Sequence, residues 1–240
     1  MLKLEVIKKS YNGRTVLDIN TLTFKEGKIY AILGPNGSGK TTLLRIIAGV
    51  EKADCGEICY DGGSAFLRND MAYMPQKPYM FDTTVLKNAA MGVKRSMKAK
   101  YSAGSEFSTQ SEDCVIAALK GMGMQSFLDR NAPLLSGGES QRVAIARTIS
   151  PGKRLLLLDE PTSTVDVSSV KLVESYIKEV NRNLKTTVLF STHAPSQAAH
   201  IADEVIFIFD GCIIEKRCCN DFFDSPGSIE TKDFLANWRV

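Results

Sequence analysis

Residues 34–41 read Gly-Pro-Asn-Gly-Ser-Gly-Lys-Thr, and this stretch decides the fold. It fits the pattern G-x-x-x-x-G-K-[ST], in which glycines let backbone N–H groups turn inward around phosphate oxygens. An apolar run over 28–33 predicts a strand before the loop, and apolar residues at helical spacing over 40–48 predict a helix after it. The N-terminus of that helix adds a partial positive charge. The stretch is therefore predicted to bind nucleotide phosphates.

The alternative for this stretch is a glycine-rich turn without a ligand. Chance alone produces the pattern in a chain of this size with a probability on the order of one in a hundred. We expect Lys40 to neutralise the β- and γ-phosphates of ATP, the Thr41 hydroxyl to bind Mg²⁺, and Thr42 to support the loop. The other residues expected to contact the nucleotide are Gly34, Pro35, Asn36, Gly37, Ser38 and Gly39.

Two adjacent carboxylates follow a run of four leucines at 155–158. Such a run is typical of a parallel strand that is buried on both faces. If strand geometry persists, Asp159 and Glu160 point to opposite sides and can take different roles. Asp159 is expected to support Mg²⁺, usually through water, and Glu160 to polarise the water that attacks the γ-phosphate. Acids at a strand end are often merely solvated, but ligands bind at the carboxyl ends of parallel strands.

A second glycine-bearing turn, Leu-Ser-Gly-Gly-Glu at 135–139, precedes a predicted helix over 141–149. A helix N-terminus of this kind suits an anion. One phosphate tail does not need two such turns from one subunit. This turn is therefore predicted to serve a nucleotide held by another chain, so that two chains enclose two ATP molecules.

This turn, between a phosphate loop and an LLLLDE strand, resembles the signature of the ATP-binding-cassette (ABC) ATPases, and the resemblance covers essentially the whole chain. It implies that Ser136, Gly137 and Gly138 contact the γ-phosphate across a head-to-tail dimer with a second copy of the chain. It also implies an α/β fold: a P-loop NTPase (RecA-like) core, an N-terminal antiparallel β subdomain and an inserted helical subdomain.

The domain organisation follows from the resemblance and the local patterns. A single domain is predicted over 1–240, with the core in 1–81 and 132–240 and the helical subdomain at about 82–131. Short strands are expected over 2–30, joined by a tight turn at Asn12-Gly13, and a terminal hairpin over 205–214. The polar stretch 94–113 predicts a surface loop or a partly disordered insert.

The resemblance also assigns isolated residues that would carry little meaning alone. Tyr11 takes the place of an aromatic residue stacked on adenine, although an unassigned tyrosine there is more often a packed strand residue. Gln76 matches a glutamine that links Mg²⁺ and the attacking water to the membrane partner, and His193 matches a histidine that contacts the γ-phosphate. Ser-Thr-Val-Asp at 163–166 takes the place of a dimer-facing loop that usually reads closer to S-A-L-D. His200 matches no motif and is expected on a helix surface.

Composition limits the partners and the compartment. A net charge of +3 lacks the concentrated basic surface that nucleic acid requires, so no nucleic-acid partner is expected. The chain has no apolar run of the roughly 20 residues that cross a bilayer, and no signal peptide is apparent. Its six cysteines fit no metal pattern and are expected to be reduced thiols, with Cys218 and Cys219 the pair worth testing for oxidation. The expected location is the cytoplasmic face of the cell membrane, as a peripheral subunit.

The resemblance is compatible with several kinds of function. A transporter motor would pass ATP-driven dimer closure to permease subunits, in a system expected to include an extracytoplasmic solute-binding protein. The tail segments 222–226 and 231–235 are similar to those of importers for polar amino acids, phosphate and tungstate-type oxyanions, and overall likeness favours a tungstate-like oxyanion. The alternatives are a soluble ABC ATPase in assembly work such as iron–sulfur cluster biogenesis, or the ATPase of an exporter. A chromosome or DNA-repair protein would need a long coiled-coil insertion that 240 residues do not accommodate.

Overall fold

Strands and helices alternate through most of the chain. The computed structural model describes residues 1–60, 70–97 and 109–238. Within these ranges the strands are β1 (Leu2–Tyr11), β2 (Arg14–Phe24), β3 (Ile29–Leu33), β4 (Cys55–Tyr60), β5 (Met71–Met74), β6 (Leu155–Asp159), β7 (Thr187–Thr192), β8 (Glu204–Phe209) and β9 (Cys212–Cys218). The helices are α1 (Lys40–Ile47), α2 (Val85–Met97), α3 (Thr109–Gly121), α4 (Gly137–Ile149), α5 (Val167–Leu184), α6 (Pro195–Ile201), α7 (Cys219–Asp224) and α8 (Ile229–Ala236).

The larger sheet has the strand order β5-β6-β7-β3-β8-β9. Its strands β5, β6, β7, β3 and β8 run parallel, and β9 returns antiparallel to β8. Leu156 and Leu158 pack into the hydrophobic cluster on one face of the sheet, while Leu155 and Leu157 pack into the cluster on the other. The four-leucine run is therefore buried on both faces, which confirms the prediction and places the carboxyl ends of these strands along one edge.

The smaller sheet is antiparallel and has the order β2-β1-β4. Asn12 and Gly13 both have positive φ, 50° and 79°, at the turn between β1 and β2, as the sequence predicts for a tight hairpin. The apolar residues of this sheet and of α1 form one cluster with Leu155, Leu157 and Leu189 of the larger sheet. This packing fixes α1, and with it the loop that precedes it, against both sheets.

The segments that lead into and out of the helices α2 and α3 lie side by side. Thr84 pairs with Asn131 in an isolated antiparallel bridge, and the Ala132 N–H donates to the carbonyl oxygen of Thr83. The expected loop over 94–113 is wrong at both ends, because α2 continues to Met97 and α3 begins at Thr109. Residues 94–97 and 109–113 include few large apolar residues, so the sequence pattern of a helix fades there. The rest of the expected loop, 98–108, lies outside the described residues, and the boundaries at 82 and 131 remain a prediction.

The C-terminal part of the described chain folds back onto the core. Strands β8 and β9 form the predicted hairpin, and Asp210 and Gly211 at its turn have positive φ. Phe222 of α7 and Leu235 of α8 belong to the main hydrophobic cluster. Cys218 is exposed whereas Cys219 is buried, and burial raises the pKa of the Cys219 thiol. Among the described residues, no helix is both long and apolar enough to cross a membrane.

Candidate functional site

A cleft of about 380 Å³ opens at the carboxyl edge of the larger sheet. Parallel strands end along this edge, so the segments that follow β3, β5, β6 and β7 converge there. Most of the lining residues are ones that the sequence singled out; the lining consists of Val16, Asn36, Gly37, Gly39, Lys40, Thr41, Thr42, Gln76, Glu160 and His193. Val16 is the exception, because a valine within a strand carries no chemical signal.

The residue just before α1 must be a glycine, because of its backbone conformation and its close neighbours. Gly39 caps the N-terminus of α1 with a φ of 104°, which L side chains rarely adopt. A Cβ at this position would lie 2.6 Å from Leu17 Cδ2 and 2.8 Å from the carbonyl oxygen of Val16. The loop thus packs directly against β2.

Lys40 is buried under the loop. Its Nζ donates hydrogen bonds of 2.8 Å to the carbonyl oxygens of Gly34 and Pro35. Burial lowers the pKa of the Lys40 ammonium, and the nearby carboxylates of Glu160 and Asp159 act in the opposite direction. Since an ammonium has three donors, the loop carbonyls orient Lys40 and leave one donor for a ligand in the cleft.

Asp159 lies directly behind the cleft and is almost fully buried. Its Oδ1 accepts hydrogen bonds from Thr41 Oγ1 at 3.0 Å and from Ser191 Oγ at 2.6 Å. Its Oδ2 is buried and has no hydrogen-bond partner among the described residues. An unpaired anionic oxygen beside a threonine hydroxyl is the donor chemistry that Mg²⁺ prefers, so these residues fit that ion.

Glu160 departs from the strand geometry that the sequence suggested. Strand β6 ends at Asp159, and Glu160 adopts a left-handed φ of 46°. The two carboxylates are therefore separated by a backbone turn rather than by strand alternation. The Glu160 carboxylate faces the cleft, where Oε2 accepts a hydrogen bond of 2.9 Å from Gln76 Nε2 and Oε1 lies 3.5 Å from His193 Nδ1. The structure thus brings together three side chains that are far apart in sequence.

Ser191 links the Asp159 carboxylate to the backbone of Glu160, and no motif in the sequence pointed to it. Its hydroxyl donates to Asp159 Oδ1 and accepts from the Glu160 N–H at 2.9 Å. A single serine in a strand carries no chemical signal. Its role here depends on the register of β7 against β6, which pairs Ser191 with Asp159.

Tyr11 lies at the end of β1, beside the site but not in the lining of the cleft. Tyr11 is 42% exposed, and its hydroxyl donates to Glu51. That hydrogen bond is the main cause of the raised pKa of the Tyr11 hydroxyl. Stacking of Tyr11 on adenine stays a prediction.

The second glycine turn forms the start of α4. This helix begins at Gly137, four residues before the start that the sequence predicts. Ser136 caps the helix, with its Oγ accepting from the Glu139 N–H at 3.3 Å and its own N–H donating to Glu139 Oε2 at 2.7 Å. These hydrogen bonds hold the pKa of the Glu139 carboxyl below its usual range. Neither Ser136 nor the adjacent glycines line the cleft of their own chain, and their contact with a partner's nucleotide remains a prediction.

His193 also contacts the only tryptophan of the chain. The centroids of the His193 and Trp238 rings are 6.2 Å apart. The other histidine, His200, lies on the surface of α6, as predicted. Because His193 is predicted to contact the γ-phosphate, Mg-ATP should change the fluorescence of Trp238. The change should vanish in His193→Ala and persist in His200→Ala, the matched control. A full change in both variants, or none in the unaltered protein at saturating nucleotide, would contradict the prediction.

Comparison with known protein families matches residues 17–163 to the model described as ABC transporter. The chain is 37% identical over 210 residues to the tungstate uptake system ATP-binding protein TupC of Peptoclostridium acidaminophilum, covering 87% of this chain and 94% of that protein. It is 32% identical to the sulfate/thiosulfate import ATP-binding protein CysA of Bacillus cereus, covering 98% of this chain and 66% of CysA. It is also 32% identical to the spermidine/putrescine import ATP-binding protein PotA of Mesoplasma florum, covering 100% of this chain and 68% of PotA.

A solved structure has the same fold. The dimeric post-hydrolysis state of the ATP-binding cassette MJ0796, bound to ADP and Pi, superposes with a TM-score of 0.81 at 27% identity. The match covers 91% of this chain and 99% of that one. The α/β core, the antiparallel sheet and the helical insertion predicted from the sequence therefore correspond to an ATP-binding cassette.

Proposed function

This chain belongs to the ABC transporter family as an ATP-hydrolysing subunit of import systems, and we propose that its system imports a tetrahedral oxyanion of the tungstate type. The observation that carries the cargo assignment is the 37% identity to TupC, which extends over 94% of TupC. CysA, a sulfate/thiosulfate protein, supports an oxyanion, whereas the polyamine protein PotA is the competing relative at 32% identity. TupC, CysA and PotA are all named for uptake or import, so the exporter alternative is not favoured.

We propose that the cleft binds the triphosphate of ATP and hydrolyses its terminal bond. The loop N–H groups and Lys40 hold the phosphates, because their charge and geometry suit an anion. Thr41 and Asp159 hold Mg²⁺, which when bound neutralises charge on the phosphate oxygens. Glu160 orients and polarises the attacking water, and Gln76 holds its carboxylate through a hydrogen bond. His193 lies beside the same carboxylate and contacts the γ-phosphate.

The same proposal includes the partners. Ser136, Gly137 and Gly138 lie outside their own cleft at a helix N-terminus suited to an anion, which supports a head-to-tail dimer in which they complete the partner's site. The dimer works on permease subunits at the cytoplasmic face of the membrane, supplied by an extracytoplasmic solute-binding protein. Closure on ATP and reopening after hydrolysis then transmit the motion to the permease.

Uptake by the host cell tests the cargo. Deletion of the gene should abolish high-affinity accumulation of tungsten from nanomolar tungstate, measured by mass spectrometry of washed cells. Re-expression of the unaltered chain should restore it, and re-expression of Glu160→Gln should not, because transport requires hydrolysis. Uptake of labelled sulfate and spermidine is measured in the same strains. Loss of either of these with normal tungsten uptake would show that the cargo is assigned wrongly while leaving the ATPase assignment intact.

A further inference from the structure

A buried glutamine on α4 is hydrogen-bonded to the backbone of Glu160. Gln141 is 1% exposed, and its Nε2 donates to the Glu160 carbonyl oxygen at 3.0 Å. Most buried amides satisfy neighbouring backbone of no special conformation. This one reaches a residue whose carboxylate faces the cleft and whose backbone is left-handed.

The conformation of Glu160 needs such support. Residues other than glycine are disfavoured at a φ of 46° and persist there only where the surroundings hold them. The Glu160 N–H donates to Ser191 Oγ at 2.9 Å, and the carbonyl oxygen accepts from Gln141. The peptide groups on either side of the Glu160 Cα are thus each fixed by a buried side chain. Loss of one contact frees the direction in which the carboxylate points.

Gln141 also lies one helical turn after the glycines that begin α4. Its Oε1 is 3.5 Å from Thr164 Oγ1, from which it accepts a hydrogen bond. A Cβ at Gly138 would lie only 2.8 Å from the Thr164 carbonyl oxygen, so the turn packs closely against the segment that follows Glu160. A displacement of the turn is therefore transmitted to Thr164, Gln141 and the Glu160 backbone together.

We propose that Gln141 is a positioning residue that sets the direction of the Glu160 carboxylate according to the position of α4. The proposal rests on the function proposed above, in which Ser136 and the adjacent glycines bind the partner's nucleotide. Through Gln141, the helix that clamps the partner's ATP adjusts the carboxylate of its own chain. Occupancy of one cleft thereby tunes hydrolysis in the other.

The variant Gln141→Met tests the proposal, since methionine keeps the length of the side chain and removes the donor. We expect kcat for ATP to fall roughly 10- to 100-fold, the size of effect that a misplacement of about 1 Å produces. KM for ATP should stay within about threefold, because the loop and Lys40 are untouched. The matched control is Thr148→Val, which removes another buried hydrogen bond from the same helix, that of Thr148 Oγ1 to the Ala144 carbonyl, at a distance from Glu160. It should keep the kcat of the unaltered protein.

The Hill coefficient for ATP distinguishes a positioning role from lost stability. We expect a value above 1, with a limit of about 2 for two sites, in the unaltered dimer and in Thr148→Val, and a value near 1 in Gln141→Met. An unchanged kcat or an unchanged Hill coefficient in Gln141→Met would overturn the proposal. So would equal decreases in kcat and in the urea concentration at the midpoint of unfolding in Gln141→Met and Thr148→Val. Failure of the proposed function gives a different result, namely normal hydrolysis by Glu160→Gln or by Ser136→Arg.

Discussion

The Glu160→Gln chain is expected to bind ATP normally and to hydrolyse it about 10²–10⁴-fold more slowly than the unaltered chain, the range by which a positioned general base contributes. Glutamine keeps the shape of the side chain, and its amide oxygen can still accept the hydrogen bond from Gln76 Nε2. The neutral amide cannot take a proton from water. The nucleotide-loaded dimer should therefore accumulate, which size-exclusion chromatography with and without Mg-ATP detects beside an assay of phosphate release.

The matched control for this variant is Glu174→Gln. Glu174 is also a largely buried glutamate, with Oε2 3.3 Å from His200 Nδ1, and burial raises the pKa of its carboxyl. It lies on α5 and outside the lining of the cleft. Its substitution should leave turnover unchanged. Normal steady-state hydrolysis by Glu160→Gln would remove Glu160 as the base.

The site residues that the sequence predicted most completely are those that belong to a short contiguous motif. The loop of 34–41 carries its own geometry, because its glycines and Lys40 occupy fixed positions relative to one helix N-terminus. Glu160 was found because it follows an apolar strand, and parallel strands deliver such residues to one edge. His193 was assigned through the resemblance to the ABC ATPases, because a lone histidine after a strand carries little meaning. The cleft is accordingly lined almost entirely by residues that the sequence singled out.

The contacts that the sequence could not supply are set by tertiary packing. Ser191 lies beside Asp159 because of the register between β6 and β7, and no local pattern encodes register in strands buried on both faces. The left-handed backbone of Glu160 depends on hydrogen bonds from residues 19 and 31 positions away in the chain. The start of α4 was predicted too late for another reason. Its capping box places the start at Gly137, but glycine has a low helix propensity, so the pattern predicts a later start.

A site shared by two chains predicts a second large effect. The Ser136→Arg chain should lose ATPase activity, and mixing it with Lys40→Ala chains should restore part of that activity. Ser136→Arg should still bind ATP through its own loop, but the long charged side chain would obstruct the turn, so hydrolysis should collapse. Lys40→Ala should instead weaken nucleotide binding, because it removes the cation held by the carbonyl oxygens of Gly34 and Pro35. Each variant alone should be inactive in phosphate release. The Ser136 variant also loses a helix cap, which costs about 1 kcal/mol and is checked by urea unfolding.

Mixing the two inactive chains gives the sharper result. In a mixed head-to-tail dimer, the loop of the Ser136→Arg chain faces the intact turn of the Lys40→Ala chain, so one composite site carries neither change and the other carries both. Random pairing of equal amounts makes about half of the dimers mixed, and a symmetric dimer with one working site then restores about a quarter of the full rate. The cap lost from α4 of the Ser136→Arg chain cannot be repaired by a partner, so recovery would also exclude destabilisation as the cause of inactivity. If Ser136→Arg alone hydrolysed ATP at the normal rate as a monomer, the site would be complete within one chain, and the turn at 135–139 would have another role.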